Sequence, residues 1–211
     1  MRHDGSVFKI LRVRYGKVLT PLARFLLRAG FTPSAVTILG TLGVSLSALW
    51  FMPRGHLLVG SLLVMLFLLG DGLDGTMARL SGRESRFGAF LDSTLDRLSD
   101  GALFVAIGWW CVVIGDGVGA GLAAAGLVVG FLVSYARARA EVEGWDASLG
   151  IFERTDRLVV ALTGTLVVGS GGPGWWLWAM LGVVVIGSSI TVFQRVAAAY
   201  RQSRSVAVAT G

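Results

Sequence analysis

The sequence predicts an all-α integral membrane protein with six transmembrane helices, preceded by an N-terminal amphipathic juxtamembrane helix. A mean hydropathy of +0.71, with 54% hydrophobic and only 15% charged residues, lies outside the range of soluble domains. Six apolar stretches each approach the about 20 residues that a helix needs to cross a bilayer. None of them has the alternation of apolar and polar residues that is typical of membrane barrels.

The apolar stretches set the boundaries of the predicted spans along the chain. The spans cover residues 33–52, 56–79, 88–114, 117–139, 154–171 and 175–197. They form one predicted six-helix domain over residues 31–200, and residues 201–211 are expected to be a mobile C-terminal tail. The 30 glycines of the chain suit helices that approach one another closely in lipid.

The first 30 residues are predicted to be a cytoplasmic arm. Between Val7 and Leu27, apolar residues alternate with lysines and arginines and no signal-peptide cleavage site is visible. This pattern predicts an amphipathic helix that lies on an anionic membrane surface. A helix that packs against the cytoplasmic face of the protein itself would show the same pattern, so both interpretations stay open.

The lysines and arginines predict the orientation in the membrane. With six spans, all of them except Arg54 fall on the side that holds both termini and the loops near residues 80–87 and 140–153. By the positive-inside rule this side is cytoplasmic, which predicts a multi-pass protein of the cell membrane. The net charge of +6 is then an orientation signal, and no nucleic-acid partner is needed to explain it.

Two pairs of aspartates lie at the cytoplasmic ends of the second and third predicted spans. Asp71 and Asp74 are three residues apart, and Asp92 and Asp96 are four apart, so each pair shares one helix face. Four carboxylates in a partly dehydrated site would repel one another unless a divalent metal compensates their charge. Oxygen ligands alone favour Mg²⁺, Mn²⁺ or Ca²⁺ over zinc, and two such ions could hold a phosphoryl group during in-line displacement.

Other interpretations of this segment are weaker. Gly70, Gly72 and Gly75 match a dinucleotide-binding pattern, but they follow an apolar helix and have no strand context. The acidic spacing does not fit an EF-hand loop, and helix caps or turns would explain only one or two of the aspartates. A divalent-cation transporter would favour carboxylates near the bilayer midplane, and a non-catalytic membrane anchor would have no use for the spacing.

The same segment resembles the signature of the CDP-alcohol phosphatidyltransferases, D-x2-D-G-x2-A-R-x8-G-x3-D-x3-D. The eight matching residues are Asp71, Asp74, Gly75, Ala78, Arg79, Gly88, Asp92 and Asp96. The resemblance implies a six-helix membrane enzyme that transfers a phosphatidyl-type group from a CDP-linked lipid to an alcohol and releases CMP. It also implies a homodimer and a lipid groove that opens sideways to the bilayer.

The resemblance implies roles for individual residues. Asp71, Asp74 and Asp92 would hold two Mg²⁺ ions, with Mn²⁺ as an alternative, and Asp96 would border the second ion and act as general base. Contacts with CDP-diacylglycerol are implied for Ser34, Ala35, Val36, Thr37, Gly75, Arg79 and Ser85. Ser34 departs from the Asn or Asp that is commoner in the family, although a hydroxyl can still donate or accept a hydrogen bond. Asp100, one turn beyond Asp96, is expected to line the pocket or support it.

Arginines on the same predicted side could bind an acceptor that carries a phosphate. We favour Arg137, Arg154 and Arg195 as ligands, although positive-inside topology and lipid headgroups would also explain them. The segments "SYARARAE" and "ERTDRLVVALTG" resemble the actinobacterial phosphatidylinositol phosphate synthases. That resemblance implies inositol 1-phosphate (1D-myo-inositol 3-phosphate) as acceptor and phosphatidylinositol phosphate as product. Glycerol 3-phosphate, which would give phosphatidylglycerol phosphate, or another acceptor is the alternative.

Overall fold

The described part of the chain consists of helices joined by turns and loops, and it contains no strand. The computed structural model describes residues 19–70, 72–82 and 84–209, with side chains through residue 204. Its helices are α1 (19–28), α2 (Pro33–Phe51), α3 (Leu57–Leu69), α4 (Leu73–Ser81), α5 (Arg86–Val113), α6 (Gly117–Val142), α7 (Arg154–Gly169) and α8 (Trp175–Ala209). A short 3₁₀ turn, Met52–Arg54, follows α2. The all-α prediction is therefore confirmed for these residues.

Four segments are long and apolar enough to cross a membrane. They are Pro33–Arg54, Leu57–Ser81, Gly117–Val142 and Trp175–Arg204. The helix α7 has only 16 residues, and the second half of α5 still contains Asp100. A membrane protein with several apolar helices is thus supported, whereas six spans remain a prediction.

The second predicted span is divided into two helices. We expected one helix over residues 56–79, but α3 ends at Leu69 and α4 begins at Leu73. Gly70 and Gly72 lie at the break, and the backbone N–H of Leu73 donates to the carbonyl of Gly70. Glycine has a low helix propensity, which lets the chain turn at this point. Asp71 lies within the break, outside the described residues.

The last helix is longer than predicted. It continues to Ala209, so residues 201–209 are helical where we expected a separate tail. Residues 198–209 contain neither glycine nor proline, and nothing in their sequence ends a helix before Gly211. Mobility of this segment stays a prediction.

The described part of the N-terminal arm packs against the protein. Leu19 and Ala23 of α1 are buried together with Leu73 and Met77 of α4. Phe25, on another face of α1, is 65% exposed. This contact favours the second of our two interpretations for residues 19–28. The rest of the predicted amphipathic helix, including every residue up to 18, lies outside the described residues.

The described helices form two compact units. The first contains residues 19–45 and 63–99, and the second contains residues 46–62 and 100–209. In the first unit, Gly43 of α2 lies directly against the ring of Phe67, where any larger side chain would collide. In the second unit, α8 packs along α6 and α7.

Side chains of α8 hold the loop that leads into α7. Gln202 bonds both backbone groups of Asp146, accepting from its N–H and donating to its carbonyl at 2.9 and 2.8 Å. The hydroxyl of Thr191 accepts from the N–H of Phe152 at 3.1 Å. These bonds satisfy backbone groups that have no partner in regular structure, and they fix where α7 begins.

Candidate active site

The short helix α4 places Asp74 against the start of α2. The hydroxyl of Thr37 donates to Oδ2 of Asp74 at 2.5 Å, and the backbone N–H of Gly75 donates to Oδ1 at 2.6 Å. Both oxygens of this half-buried carboxylate therefore accept hydrogen bonds. The structure brings together Thr37, Asp74 and Gly75, which the sequence assigned to one site without predicting this contact.

Space is left open beside Gly75. A Cβ atom at this position would meet no atom within 4 Å, although the residue belongs to a helix that packs on its other side. A helix interior usually favours Ala over Gly by about 1 kcal/mol. Glycine here therefore leaves room for a ligand to approach the backbone, as the family resemblance implies.

The first turns of α5 present the second aspartate pair. Asp92 and Asp96 are both half-buried and lie one turn apart on the same helix face, as their spacing predicted. The helix begins after Ser85, whose hydroxyl accepts from the backbone N–H of Gly88 at 2.9 Å. Ser85 thus caps α5 in this structure, a role that we did not predict beside its expected contact with CDP-diacylglycerol.

The other predicted nucleotide contacts occupy different surroundings. Ser34, Ala35 and Val36 are half-buried in the first turn of α2, and Val36 packs against the cluster formed by α1 and α4. The backbone N–H of Ala35 donates to the hydroxyl of Thr32, a helix cap that we missed. The exposed guanidinium of Arg79 donates to the hydroxyl of Thr76 at 3.3 Å. These contacts organise the ends of α2 and α4 without closing the space beside Gly75.

The donor set suits a hard divalent cation. Within the described ranges, which lack Asp71, no group of three or more His, Cys, Asp or Glu side chains is placed to hold a metal ion. Asp74, Asp92 and Asp96 nevertheless supply only carboxylate oxygens, the ligands that Mg²⁺ and Mn²⁺ prefer. The fourth carboxylate of the signature, Asp71, stands two residues after the end of α3 in the sequence. The residues therefore fit such a metal by their chemistry.

In the second unit, the predicted acceptor ligands have three different environments. Arg137 is exposed on α6 and pairs with Glu141 one turn on. Arg195 is buried and donates to the backbone carbonyls of Leu149 and Val133 at 3.0 and 2.6 Å. Arg154, in contrast, donates from Nε to a carboxylate oxygen of the buried Asp100 at 2.9 Å.

Asp100 also faces a second arginine, which we had not selected. Nη2 of Arg157 lies 3.8 Å from the other carboxylate oxygen of Asp100, and Arg157 is only 2% exposed. The spacing of three between Arg154 and Arg157 places both on one face of α7, and this signal could have been read from the sequence. Their shared partner, more than 50 residues earlier in the chain, could not.

Comparison with known proteins decides the family. A model of the CDP-alcohol phosphatidyltransferases matches residues 31–186 of this chain. The chain belongs to this family. The family resemblance that we drew from the aspartate signature is thereby confirmed, and the match favours a transferase over the transporter and the anchor.

This phosphatidyltransferase is similar in sequence to several phosphatidylinositol phosphate synthases. It is 42% identical to the phosphatidylinositol phosphate synthase of Mycobacteroides abscessus over 192 residues, which cover 87% of this chain and 84% of that protein. It is 43% identical to the protein of the same name from Streptomyces avermitilis over 209 residues, covering 96% of this chain and 86% of the relative.

Solved structures agree with the sequence comparison. The crystal structure of Mycobacterium tuberculosis phosphatidylinositol phosphate synthase with CDP-DAG bound superposes with a TM-score of 0.84 and 40% identity. The match covers 87% of this chain and 94% of that chain. The structure of the same enzyme in complex with manganese and citrate gives a TM-score of 0.83 at 40% identity, covering 86% and 88% of the two chains.

Proposed function

We propose that this phosphatidyltransferase transfers the phosphatidyl group of CDP-diacylglycerol to inositol 1-phosphate, giving phosphatidylinositol phosphate and CMP. The observation that carries the proposal is 42% identity to a phosphatidylinositol phosphate synthase over 87% of the chain. The match of 43% identity to the Streptomyces avermitilis protein extends over 96% of the chain. A phosphate on the acceptor could also form charge-assisted hydrogen bonds with the arginines of the second unit.

The aspartates of the signature are proposed to bind two Mg²⁺ ions, for which Mn²⁺ could substitute. Asp71, Asp74 and Asp92 would be ligands, and Asp96 would border the second ion. When bound, the ions would neutralise charge on the diphosphate of the lipid substrate. The bond from Thr37 to Asp74 supports this assignment because it orients a carboxylate that would otherwise rotate.

Asp96 is proposed as the general base. Its carboxylate would take the proton of the acceptor hydroxyl while the hydroxyl oxygen attacks the β-phosphorus of CDP-diacylglycerol. The bond between this phosphorus and the oxygen that bridges to CMP breaks, and the electron pair leaves with CMP. Arg79 would balance the negative charge on the departing phosphate, since its exposed guanidinium keeps several N–H donors.

Nucleotide binding is proposed for the ends of α2 and α4. The residues are Ser34, Ala35, Val36, Thr37, Gly75, Arg79 and Ser85. The open space beside Gly75 gives this assignment its strongest support, because the backbone of α4 is accessible there. We propose that Arg137, Arg154 and Arg195 bind the acceptor phosphate. Arg154 is partly exposed and forms an ion pair with the buried carboxylate of Asp100.

The proposed setting is the cell membrane, with six spans and with both termini and the active site in the cytoplasm. The four apolar segments and the excess of basic residues on one predicted side support it. A homodimer is proposed from the family resemblance, with membrane lipids as the surrounding partners. Crosslinking in native membranes would test the dimer.

The acceptor is tested by CMP release. Purified protein in lipid-containing detergent is supplied with CDP-diacylglycerol and Mg²⁺, together with inositol 1-phosphate, glycerol 3-phosphate, free inositol or serine. Release with inositol 1-phosphate alone is the expected result. Release with glycerol 3-phosphate instead would make the protein a phosphatidylglycerol phosphate synthase, and release with free inositol would remove the proposed role of the arginines.

Gly75→Ala should separate stability from activity. The added methyl group meets open space within the protein and improves helix propensity, so Tm should be unchanged or higher. If the nucleotide contacts the backbone here, the methyl group displaces it, and kcat/KM for CDP-diacylglycerol should fall at least about tenfold. Steady-state kinetics and thermal unfolding in detergent measure both effects.

Gly121→Ala is the matched control for this substitution. Gly121 also lies inside a helix, α6, with no atom within 4 Å of an added Cβ. Its kinetics should equal those of the wild-type protein. An unchanged kcat/KM in Gly75→Ala would contradict the proposed nucleotide contact.

A further inference from the structure

A buried charge cluster joins α5 and α7 in the second unit. Asp100 is 7% exposed, and its two carboxylate oxygens face Arg154 at 2.9 Å and Arg157 at 3.8 Å. A buried carboxylate of this kind is retained only with partners, because desolvation strongly disfavours a lone charge.

The two arginines differ in how far they reach water. The side chain of Arg157 is 3% exposed, and that of Arg154 is 19% exposed. Arg157 lies against α6 at Gly130, where an added Cβ would stand 3.4 Å from its Nε atom. The glycine thus lets the guanidinium lie against the backbone of α6. Arg157 is the buried member of the pair, and Arg154 is the one that a soluble anion could meet.

Carboxylates already occupy two backbone N–H groups at the start of α7. Its cap residue Glu153 accepts from the N–H of Asp156, and the carboxylate of Asp156 accepts from the N–H of Glu153 at 2.8 Å. Two carboxylates therefore occupy the end of the helix that would otherwise attract a phosphate. An anion bound near this end must be recognised by arginine side chains.

We propose that Asp100 is a positioning residue for the acceptor phosphate. It holds Nε of Arg154, while Arg157 places a second, buried positive charge beside the same carboxylate. Arg154 is thereby pre-organised to bind the phosphate of the acceptor, with its orientation already fixed before the ligand arrives. The inference rests on the proposed function, since it deepens the role of Arg154 in that reaction.

Asp100→Asn tests the proposal because the two possible roles of Asp100 predict opposite changes in the acceptor KM. The amide keeps the volume and one acceptor oxygen but loses the charge. If Asp100 only opposed the phosphate electrostatically, its neutralisation would lower the KM of the acceptor. If it positions Arg154, the acceptor KM should rise by about tenfold, as for loss of a charge-assisted hydrogen bond, while the KM of CDP-diacylglycerol stays unchanged.

Coupling to Arg154 gives the second criterion. Arg154→Gln should also raise the acceptor KM, and adding Asp100→Asn to it should raise the KM no further, because the two residues act through one contact. Asp100→Glu, which keeps the charge, should come closer to the wild-type KM than Asp100→Asn does. Arg139→Gln is the matched control, since Arg139 of α6 forms an exposed pair with Glu143, the residue after that helix, and the kinetics of the variant should not change.

A binding measurement separates this proposal from the proposed function. The rise in Tm that inositol 1-phosphate causes, relative to free inositol, reports anion binding without turnover. If inositol 1-phosphate raises the Tm of the wild-type protein but no CMP is released, the proposed reaction is refuted. The proposal that the arginines bind the phosphate would still stand. An unchanged or lower acceptor KM, or an unchanged ligand-induced rise in Tm, in folded Asp100→Asn would overturn the positioning role. If that variant does not fold, additive KM effects of Asp100→Glu and Arg154→Gln would overturn it.

Discussion

Asp96→Asn is expected to reduce CMP release by about 10²–10⁴-fold, the range that general bases contribute. The amide has nearly the volume of the carboxylate but cannot accept the proton of the acceptor hydroxyl. The loss should appear in kcat, since neither the nucleotide nor the acceptor phosphate is proposed to bind Asp96. Steady-state CMP release with saturating CDP-diacylglycerol and inositol 1-phosphate measures it.

Ser93→Ala provides the control for this experiment. Ser93 lies on the same helix, three residues earlier, and its exposed hydroxyl donates only to the carbonyl of Phe90. Its removal should leave kcat within a factor of about two, as expected for a surface position. More than a tenth of wild-type activity in Asp96→Asn, with Tm preserved, would assign the base to another group.

Removal of divalent metal should have an effect of similar size. After treatment with EDTA and dialysis, activity should fall below about 1% of the starting value, because the carboxylates then repel the diphosphate instead of binding it through cations. Mg²⁺ or Mn²⁺ should restore it. Full activity in metal-free buffer would exclude the proposed cofactor.

Binding can be measured apart from activity in the same samples. Mn²⁺ should raise the Tm of the metal-free wild-type protein, since a ligand that binds only the folded state stabilises it. The rise should be lost in Asp74→Asn, because Asp74 would be a direct ligand oriented by Thr37. An equal rise in both proteins would place the ion elsewhere.

The helical class and most helix limits follow from local properties of the chain. Predicted spans that began at residues 33, 117, 154 and 175 begin at those residues in the structure. Proline or glycine stands at or just before several of these starts, and both act on the backbone locally. The break between α3 and α4 was missed because the apolar run continues to Leu69, and hydropathy does not report the low helix propensity of the glycines that follow.

The site was only partly predictable. The spacing of Asp92 and Asp96 predicted that both lie on one face of a helix, as they do on α5, since helix periodicity determines which side chains share a face. The bond from Thr37 to Asp74 joins residues 37 positions apart, and no periodic pattern encodes such a contact. For the same reason, Arg154 was selected by its charge, its predicted side and the family resemblance, while Asp100, expected only to line or support the pocket, was not recognised as its partner.

The sequence by itself determined that this protein is a helical membrane phosphatidyltransferase, because hydropathy, helix periodicity and a signature of eight residues all act over short distances along the chain. Only the tertiary structure decided which arginine is paired, which is buried and which meets water. Burial and ion pairing depend on helices that are far apart in sequence and adjacent in space, as α5 and α7 are at Asp100. That packing gives similar cations different environments: Arg137 is exposed, Arg154 is paired with Asp100, and Arg195 is buried.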